Sequence, residues 1–330
     1  MAIQLTSSGG LSGQFQKYFN PKLLDHAVNT LVLNQFGLSA TLPKNKGANI
    51  VRFTRQDVGL SSNVQTLVEG TPIAVFRDTT LAFIDATLQL FGEAGRYSDL
   101  LQWEEIFNIL DVQTQQFGED FALKCDDLIL NAVIPNVSGS SKRYGTGLAT
   151  QTFAGLQAAV GVSTSLFSVQ AALDDFTLLS ENLAPKIGGE YVCIIPPRLA
   201  RDVMNDAKFI AAGQYGTNKG LFNGEIGRLY DVRFVVSTNT WSENTTENTR
   251  TVGSYAATTV FSAISTGRSS YGIPALAGNS PKSPSIVIVN TPDSLNPLNQ
   301  YTTMGWKAYY TSILLNNAFV VVHRCLSAFV

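Results

Sequence analysis

The sequence predicts an α+β protein, and three observations lead there. Helix and strand patterns alternate irregularly after residue 152, without the regular βα repeats of a doubly wound nucleotide-binding sheet. One amphipathic pattern runs unbroken from Ser98 to Ile134, longer than an ordinary globular helix. Two strand patterns, NIVRFTRQD and LAFIDATLQLF, flank a connection far longer than that of a common hairpin.

Taken in chain order, Met1 to Gln14 are polar and rich in Ser and Gly, and they predict an arm that must bind something else to become ordered. A helix is expected next, with Asn20 as N-cap, Pro21 at its first position and Leu23, Leu24, Ala27, Val28, Leu31 and Val32 along it, ended by Gly37. Val51 and Phe53 alternate with Arg52 and Thr54, a strand pattern. Its expected partner is one long strand carrying Ala82, Ile84, Ala86, Leu88 and Leu90 on a single face. The connection between them holds Val64, Leu67, Val68, Ile73, Val75 and Phe76, with Glu69-Gly70-Thr71-Pro72 as its turn, and predicts a protruding β-arm.

Ser98 caps the long helix and Pro135 ends it. Trp103, Phe107, Leu110, Thr114, Phe117, Phe121, Cys125, Leu128 and Ala132 recur every three or four residues, so Trp103, Phe107, Leu110, Phe117, Phe121 and Leu128 are the expected core face. At 1.5 Å per residue such a helix spans about 50 Å. Gly118 inside it implies a bend or close packing. A Gly/Ser/Thr-rich link from Ser138 to Thr152 follows, then a helix over Val169 to Asn182, the strand YVCII, a helix opened by Pro196 and Pro197, and the strand YDVRFVV. STNTWSENTTENTR predicts a solvated loop, with Trp241 its one large apolar residue. WKAYYTSILL and AFVVVHRCL, joined at Asn316 and Asn317, predict a closing hairpin.

Composition excludes several function classes. The chain has 330 residues, 45% hydrophobic and 15% charged, enough to bury a core and too apolar for a disordered protein. Its net charge of −2 does not draw it onto phosphate backbones. Cys125, Cys193 and Cys325 are far apart and odd in number, and are expected as reduced core residues. The start has no signal-peptide pattern and no apolar run of membrane-spanning length occurs, so a cytosolic, non-membrane protein is expected.

Catalytic patterns are equally sparse. G-x-S-x-G, H-E-x-x-H and the phosphate-binding G-x-x-x-x-G-K-[ST] are missing, and GTGLAT at Gly145 lacks the last glycine of a dinucleotide-binding fingerprint. His26 and His323 are expected as structural residues. Glu93, Asp99, Glu104, Glu105, Asp111, Glu119, Asp120, Asp126 and Asp127 crowd the long helix, but neighbours on a helix point about 100° apart and form no acid/base dyad, so a solvated or interface-facing acidic face is expected. The chain is therefore expected to be no enzyme and to take no metal or cofactor. An extracellular β-rich adhesin or surface protein is the alternative suggested by the Ser/Thr/Asn-rich loops.

The order of elements adds a resemblance: polar arm, long β-hairpin, very long helix, mixed domain, returning C-terminal strands. It resembles the Hong Kong 97-type capsid fold of tailed bacteriophages. The blocks LLDHAVNTLVLNQFG, LPKNKGANIVRFTR, LVEGTP, LFGEAGRYSDLL, YVCIIPPRLARDVMNDAKF, GEIGRLYDVRFVVSTNTW and LNPLNQYTTMGWKAYYTSILLNNAFVVVHR are similar to successive blocks of the major capsid family of N-four-like podoviruses. They cover the chain from about Leu23 to Arg324, and their shared order carries the resemblance. Asn296 stands where that family usually has an acidic residue.

The resemblance implies 1–45 as N-terminal arm and helix, 46–92 as the extended β-hairpin loop, 93–152 and 299–330 as a peripheral domain with the spine helix, and 153–298 as an axial domain. It implies a non-enzymatic coat subunit of the virion, made and assembled in the bacterial host cytoplasm. Hexamers and pentamers would form an icosahedral shell enclosing double-stranded DNA, aided by a scaffolding protein, a portal and a decoration protein. Relatives of the wider fold crosslink a lysine of the extended loop to an asparagine, but Asp57 to Thr80 contains no lysine. Contacts between subunits are expected at Lys44, Lys46, Arg52 and Arg55, a basic stretch facing the acidic helix of a neighbour, and at Leu67, Val68, Glu69 and Phe76 of the arm.

Overall fold

The computed structural model describes residues 32–43, 49–56, 64, 66–67, 69–70, 81–104, 109–146, 151–209, 225–253, 255–277, 285–289, 291–292 and 296–329. After a 3₁₀ turn at Leu33–Gln35 come β1 (Leu38–Leu42), β2 (Ile50–Gln56), β3 (Leu81–Thr87), β4 (Gln89–Ser98), α1 (Asp99–Glu104) and α2 (Ile109–Val133). Then follow β5 (Lys142–Tyr144), α3 (Phe153–Ala158), α4 (Val169–Glu181), β6 (Tyr191–Ile195), α5 (Pro197–Met204), β7 (Glu225–Leu229), β8 (Val232–Val236) and β9 (Ser242–Glu243). The chain closes with β10 (Val260–Thr266), β11 (Tyr271–Leu276), β12 (Ser285–Val289), β13 (Tyr301–Tyr310), β14 (Ile313–Leu314) and β15 (Val320–Cys325).

Two sheets carry the fold. The first runs β1-β11-β13-β12, with β4 also on β13 and β14 on β11. The second runs β5-β15-β10-β6-β8-β7, with β9 on β10, and β2 and β3 form a separate antiparallel pair. The α2 helix packs on β11 and β14, and its buried residues share one cluster with Val192 and Ile264 of the second sheet and Tyr271 and Trp306 of the first. On the other face of the second sheet, Val169, Ala171 and Leu199 of α4 and α5 close over Cys193, Ile195, Phe234 and Phe261. Every residue of β6 is therefore buried, odd and even positions feeding different cores. That is why YVCII is continuously apolar instead of alternating.

Local chemistry explains most element ends. Ser98 Oγ accepts the N–H of Leu101 at 3.2 Å, capping α1 as expected. Residues 105–108 lie outside the described residues, and α2 stops two residues before Pro135. Its 25 residues span about 37 Å. Ser168 caps α4 through the N–H of Ala171, and Pro197 opens α5 at a position where a missing N–H costs nothing. Tyr230 and Asp231, at φ 50° and 59°, turn β7 back onto β8; two consecutive left-handed residues match the twist of a tight hairpin.

Four sequence expectations change here. The helix expected to run through Val32 to Gly37 lies outside the described residues up to Leu31, and from Leu33 the chain is a 3₁₀ turn and then β1. A side chain at Gly37 would meet Ile273 at 2.5 Å, so the chain lies hard against β11 there and joins it as a parallel strand. The single strand expected from Leu81 to Phe91 is two: β3 pairs with β2, and after Leu88 the chain enters another sheet as β4. The link from Ser138 to Thr152 contains β5, paired in parallel with β15. The closing hairpin does not form, because β13 lies between β4 and β12 whereas β15 lies between β10 and β5. Asn317 instead clamps the Ser138 backbone, donating to its carbonyl and accepting from its N–H, both at 3.0 Å. Segment 299–330 thus supplies β13 and β14 to one sheet and β15 to the other.

Candidate assembly surfaces

Of the expected core face of the long helix, the described side chains are Phe117 and Phe121, which are buried, and Leu128, which is partly buried. Phe117 and Phe121 are 8% and 6% exposed, Cys125 is fully buried and Leu128 packs on the same cluster. Phe121 meets Trp306 edge-on, with ring centroids 4.8 Å apart. The side chains of Trp103, Phe107 and Leu110 lie outside the described residues. Thr114 is exposed. Gly118 is not closely packed, since a Cβ there would meet nothing within 4 Å. The space beside it is an apolar cleft between α2 and the first sheet, lined by Phe117, Phe121, Ile286, Met304 and Trp306.

One wall of that cleft is β12, a strand at the edge of the first sheet among the described residues. Ile286, Val287, Ile288 and Val289 are 40–59% exposed, four consecutive β-branched apolar residues facing water. An uncovered edge of this kind invites pairing with another chain. The sequence offered no separate signal for it, because SIVIV reads like any buried strand.

The β2–β3 pair is a second apolar surface. Its inner face packs on the body: Phe53 lies so close to Gly272 that a Cβ there would sit 2.9 Å from its ring. Its outer face carries Ile50, Leu81 and Phe83, 45–56% exposed. Arg52 reaches across to Asp85 at 2.6 and 2.7 Å and covers the Phe83 ring. Beyond the pair, Val64 and Leu67 are 81% and 68% exposed, and Glu69 and Gly70 form a turn with Gly70 at φ 79°, as a glycine there allows. Val68, Ile73, Val75 and Phe76 lie outside the described residues, as do Lys44 and Lys46. Of the basic stretch expected to meet a neighbour, Arg52 is thus engaged within its own hairpin, and Arg55 donates to Asn316 Oδ1 at 3.1 Å.

The acidic face also divides. Glu93 and Asp99 are exposed. Asp126, however, is 2% exposed, and Asp127 accepts from Arg250 and from Asn239 Nδ2. The expectation of one solvated row fails at these two because α2 turns that side toward the 3₁₀ turn and the loop after β8.

That loop is the largest correction. Trp241, Ser242 and Glu243 of the expected solvated stretch are 0–3% exposed. Trp241 Nε1 donates to Glu243 Oε1 at 2.6 Å, Glu243 Oε2 lies 3.4 Å from Arg324 Nε, and Arg324 Nη2 donates to Asn248 Oδ1 at 2.9 Å. Glu247 accepts from Tyr144 at 2.5 Å and pairs with Lys142. Polar residues can be buried here because they answer one another. The matching signal was Arg324, a charge inside the otherwise apolar strand FVVVHRCL.

His323, expected as structural, is fully buried between two acceptors: its Nδ1 is 2.9 Å from Asp175 Oδ1 and its Nε2 is 3.1 Å from the Gly145 carbonyl. Asp175 also accepts from Ser265 Oγ at 2.9 Å. Burial alone would lower the imidazole, but the Asp175 charge and its hydrogen bond hold it well above its ordinary value. A serine, an aspartate and a histidine do meet here, but in the order Ser–Asp–His and sealed from substrate, so no base activates the hydroxyl. Burial pushes the thiol of Cys125 up to about 12 and that of Cys193 further, leaving both unreactive. Among the described residues no cluster of His, Cys, Asp or Glu could hold a metal ion.

Comparison with known proteins identifies the class to which these surfaces belong. The fold matches the capsid of the cyanophage P-SCSP1u, with 13% identity over 99% of this chain and 97% of that one and a TM-score of 0.70. It matches the capsid of the Helicobacter pylori bacteriophage KHP30 at 9% identity, covering 99% and 98% of the two chains, with a TM-score of 0.69. The capsid of cyanophage Pam1 aligns over 100% of both chains at 12% identity, TM-score 0.65. Against curated proteins no match is found. The model of a family described as phage capsid protein matches residues 84–321, from β3 to β15 and through both sheets. With that span, and with the tailed-phage capsid fold it encodes, the chain belongs to the phage capsid protein family.

Proposed function

We propose that this chain is the major shell subunit of a phage head, and that its copies form hexamers and pentamers of an icosahedral shell enclosing double-stranded DNA. One observation carries the reading: the subunit leaves apolar side chains in water on two surfaces, the outer face of β2–β3 with its arm and the β12 edge. Soluble monomers rarely expose such patches, so other copies should cover them. The arm between β2 and β3 is the intersubunit clamp in this reading, with Leu67, Val68, Glu69 and Phe76 at its contact and Lys44, Lys46, Arg52 and Arg55 at its root. The chain then divides into an N-terminal arm and helix (1–45), extended loop (46–92), peripheral domain with spine helix (93–152 and 299–330) and axial domain (153–298). A scaffolding protein, a portal and a decoration protein are the expected partners, and synthesis and assembly take place in the host cytoplasm. The adhesin reading loses support, because Ser237, Asn239, Trp241, Ser242 and Glu243 of the Ser/Thr/Asn-rich stretch that suggested it are buried.

Replacing Val58 to Thr79 by a short Gly/Ser turn tests the clamp. The circular dichroism spectrum and a cooperative melt should survive, since the two sheets and α2 build the buried clusters of the described residues. Sedimentation should then show small soluble species in place of shells. Closed particles of normal size would refute the clamp, and loss of the fold would make the arm part of its own subunit's core.

A further inference from the structure

The shell reading gives no role to Asp126, a carboxyl group buried beneath the turn that precedes β1. It sits on α2 against the Leu33–Gln35 turn, 2% exposed. Its Oδ2 accepts the N–H of Val32 at 3.4 Å, and the N–H groups of Leu33 and Asn34 also face the carboxyl. Among the described residues its Oδ1 has no hydrogen-bond partner. Tyr271 of β11 pins the same turn a second time, donating to the Leu33 carbonyl at 2.6 Å. The titratable groups around it are Cys125 and Asp127 on α2, Tyr271 on β11 and Tyr310 on β13. The cation closest in role, Arg250, is taken by Asp127, and among the described residues Asp126 makes no ion pair.

A charge held this way is poorly solvated, and three N–H groups offset only part of that cost. We propose that the seam between the Leu33–Gln35 turn and α2 is a proton-operated latch, shut when Asp126 is protonated and loosened when it is charged. Burial pushes this carboxyl up to about 7, from 3.8 in water. Because the closed state holds the proton more tightly than an opened state that brings Asp126 to water, opening becomes easier as pH rises between those two values and levels off above the higher. The latch therefore tightens in acid. What it governs is how firmly the Leu33–Gln35 turn, and with it the start of β1, is held to α2.

Hydrogen exchange on the full-length chain tests this, reading the Val32, Leu33 and Asn34 amides after correction for intrinsic exchange, with β10 amides as reference. Between pH 5.5 and 8 their opening should increase about 30-fold in the native chain. Asp126→Asn, which keeps the shape and removes the charge, should give protection independent of pH. Tyr271→Phe should lower protection by one factor at every pH and keep the slope. A flat native profile overturns the latch, as does a slope that persists in Asp126→Asn. If that variant fails to fold, a slope lost in Tyr271→Phe overturns it instead, by assigning the response to the tyrosine.

Discussion

The two sheets treat their polar and apolar residues in opposite ways. The second sheet buries charge: Arg324, Glu243, His323 and Asp175 lie wholly inside, each answered by a partner on another element. The first sheet exposes apolar surface: β12, at an edge among the described strands, holds four apolar residues in water beside a cleft that α2 does not fill. A region that satisfies its own charges cannot exchange them for a neighbour's without a large desolvation cost. A region with uncovered apolar surface gains from any copy that covers it. In the proposed shell, the difference separates a half of the subunit finished by folding from one finished by assembly.

Breaking the finished half should cost most. Arg324→Ala leaves Glu243 buried without its cation, and should lower stability by about 3 to 5 kcal/mol, read as a shift in the urea midpoint. A midpoint within error of the native protein would mean that water reaches this cluster. Phe121→Ala removes the ring against Trp306 and should cost about 3 kcal/mol, at the low end for such a change because the adjacent cleft lets neighbours relax.

The buried histidine sharpens the comparison through pH. Its folded value is raised, so the stability it contributes is fully present below the ordinary imidazole value of 6.5 and is lost as pH rises through the raised one. Urea midpoints should therefore fall at alkaline pH in the native protein and fall less in His323→Gln, which starts lower and has no imidazole to titrate. Parallel slopes for the two would assign the alkaline loss to another group. The smallest effect on the subunit is expected at β12. Ile286→Thr with Ile288→Thr should change subunit stability by less than about 0.5 kcal/mol, since both already face water. Shell yield by sedimentation should nevertheless drop; an unchanged yield would show that the edge stays open in the assembly.

Much of the local structure was legible because it rests on local rules. Ser98 as a cap, Pro135 and Pro197 at helix ends, the Phe117–Phe121–Cys125 stripe and the β2–β3 pairing all follow from spacing and backbone chemistry. The misreadings share a different cause. STNTWSENTTENTR looked solvated because every residue in it but Trp241 is polar, and whether a polar residue can be buried depends on partners dozens of positions away. The C-terminal strands looked like a hairpin because they are adjacent in sequence, yet each finds better edges in a different sheet.

The sequence by itself determined that this is an α+β chain with one dominant amphipathic helix, that it lacks recognised catalytic motifs, and that its order of blocks resembles a tailed-phage coat protein. Periodicity, caps and block order are written along the chain and need no third dimension. The tertiary structure alone decided that Leu88 divides one strand between two sheets, that Arg324 meets Glu243, that Asp126 lies under the Leu33–Gln35 turn and that β12 is left at an edge. Each of these depends on which distant segments come to lie side by side. That choice is made by the packing of whole sheets around α2, and no window of sequence contains it.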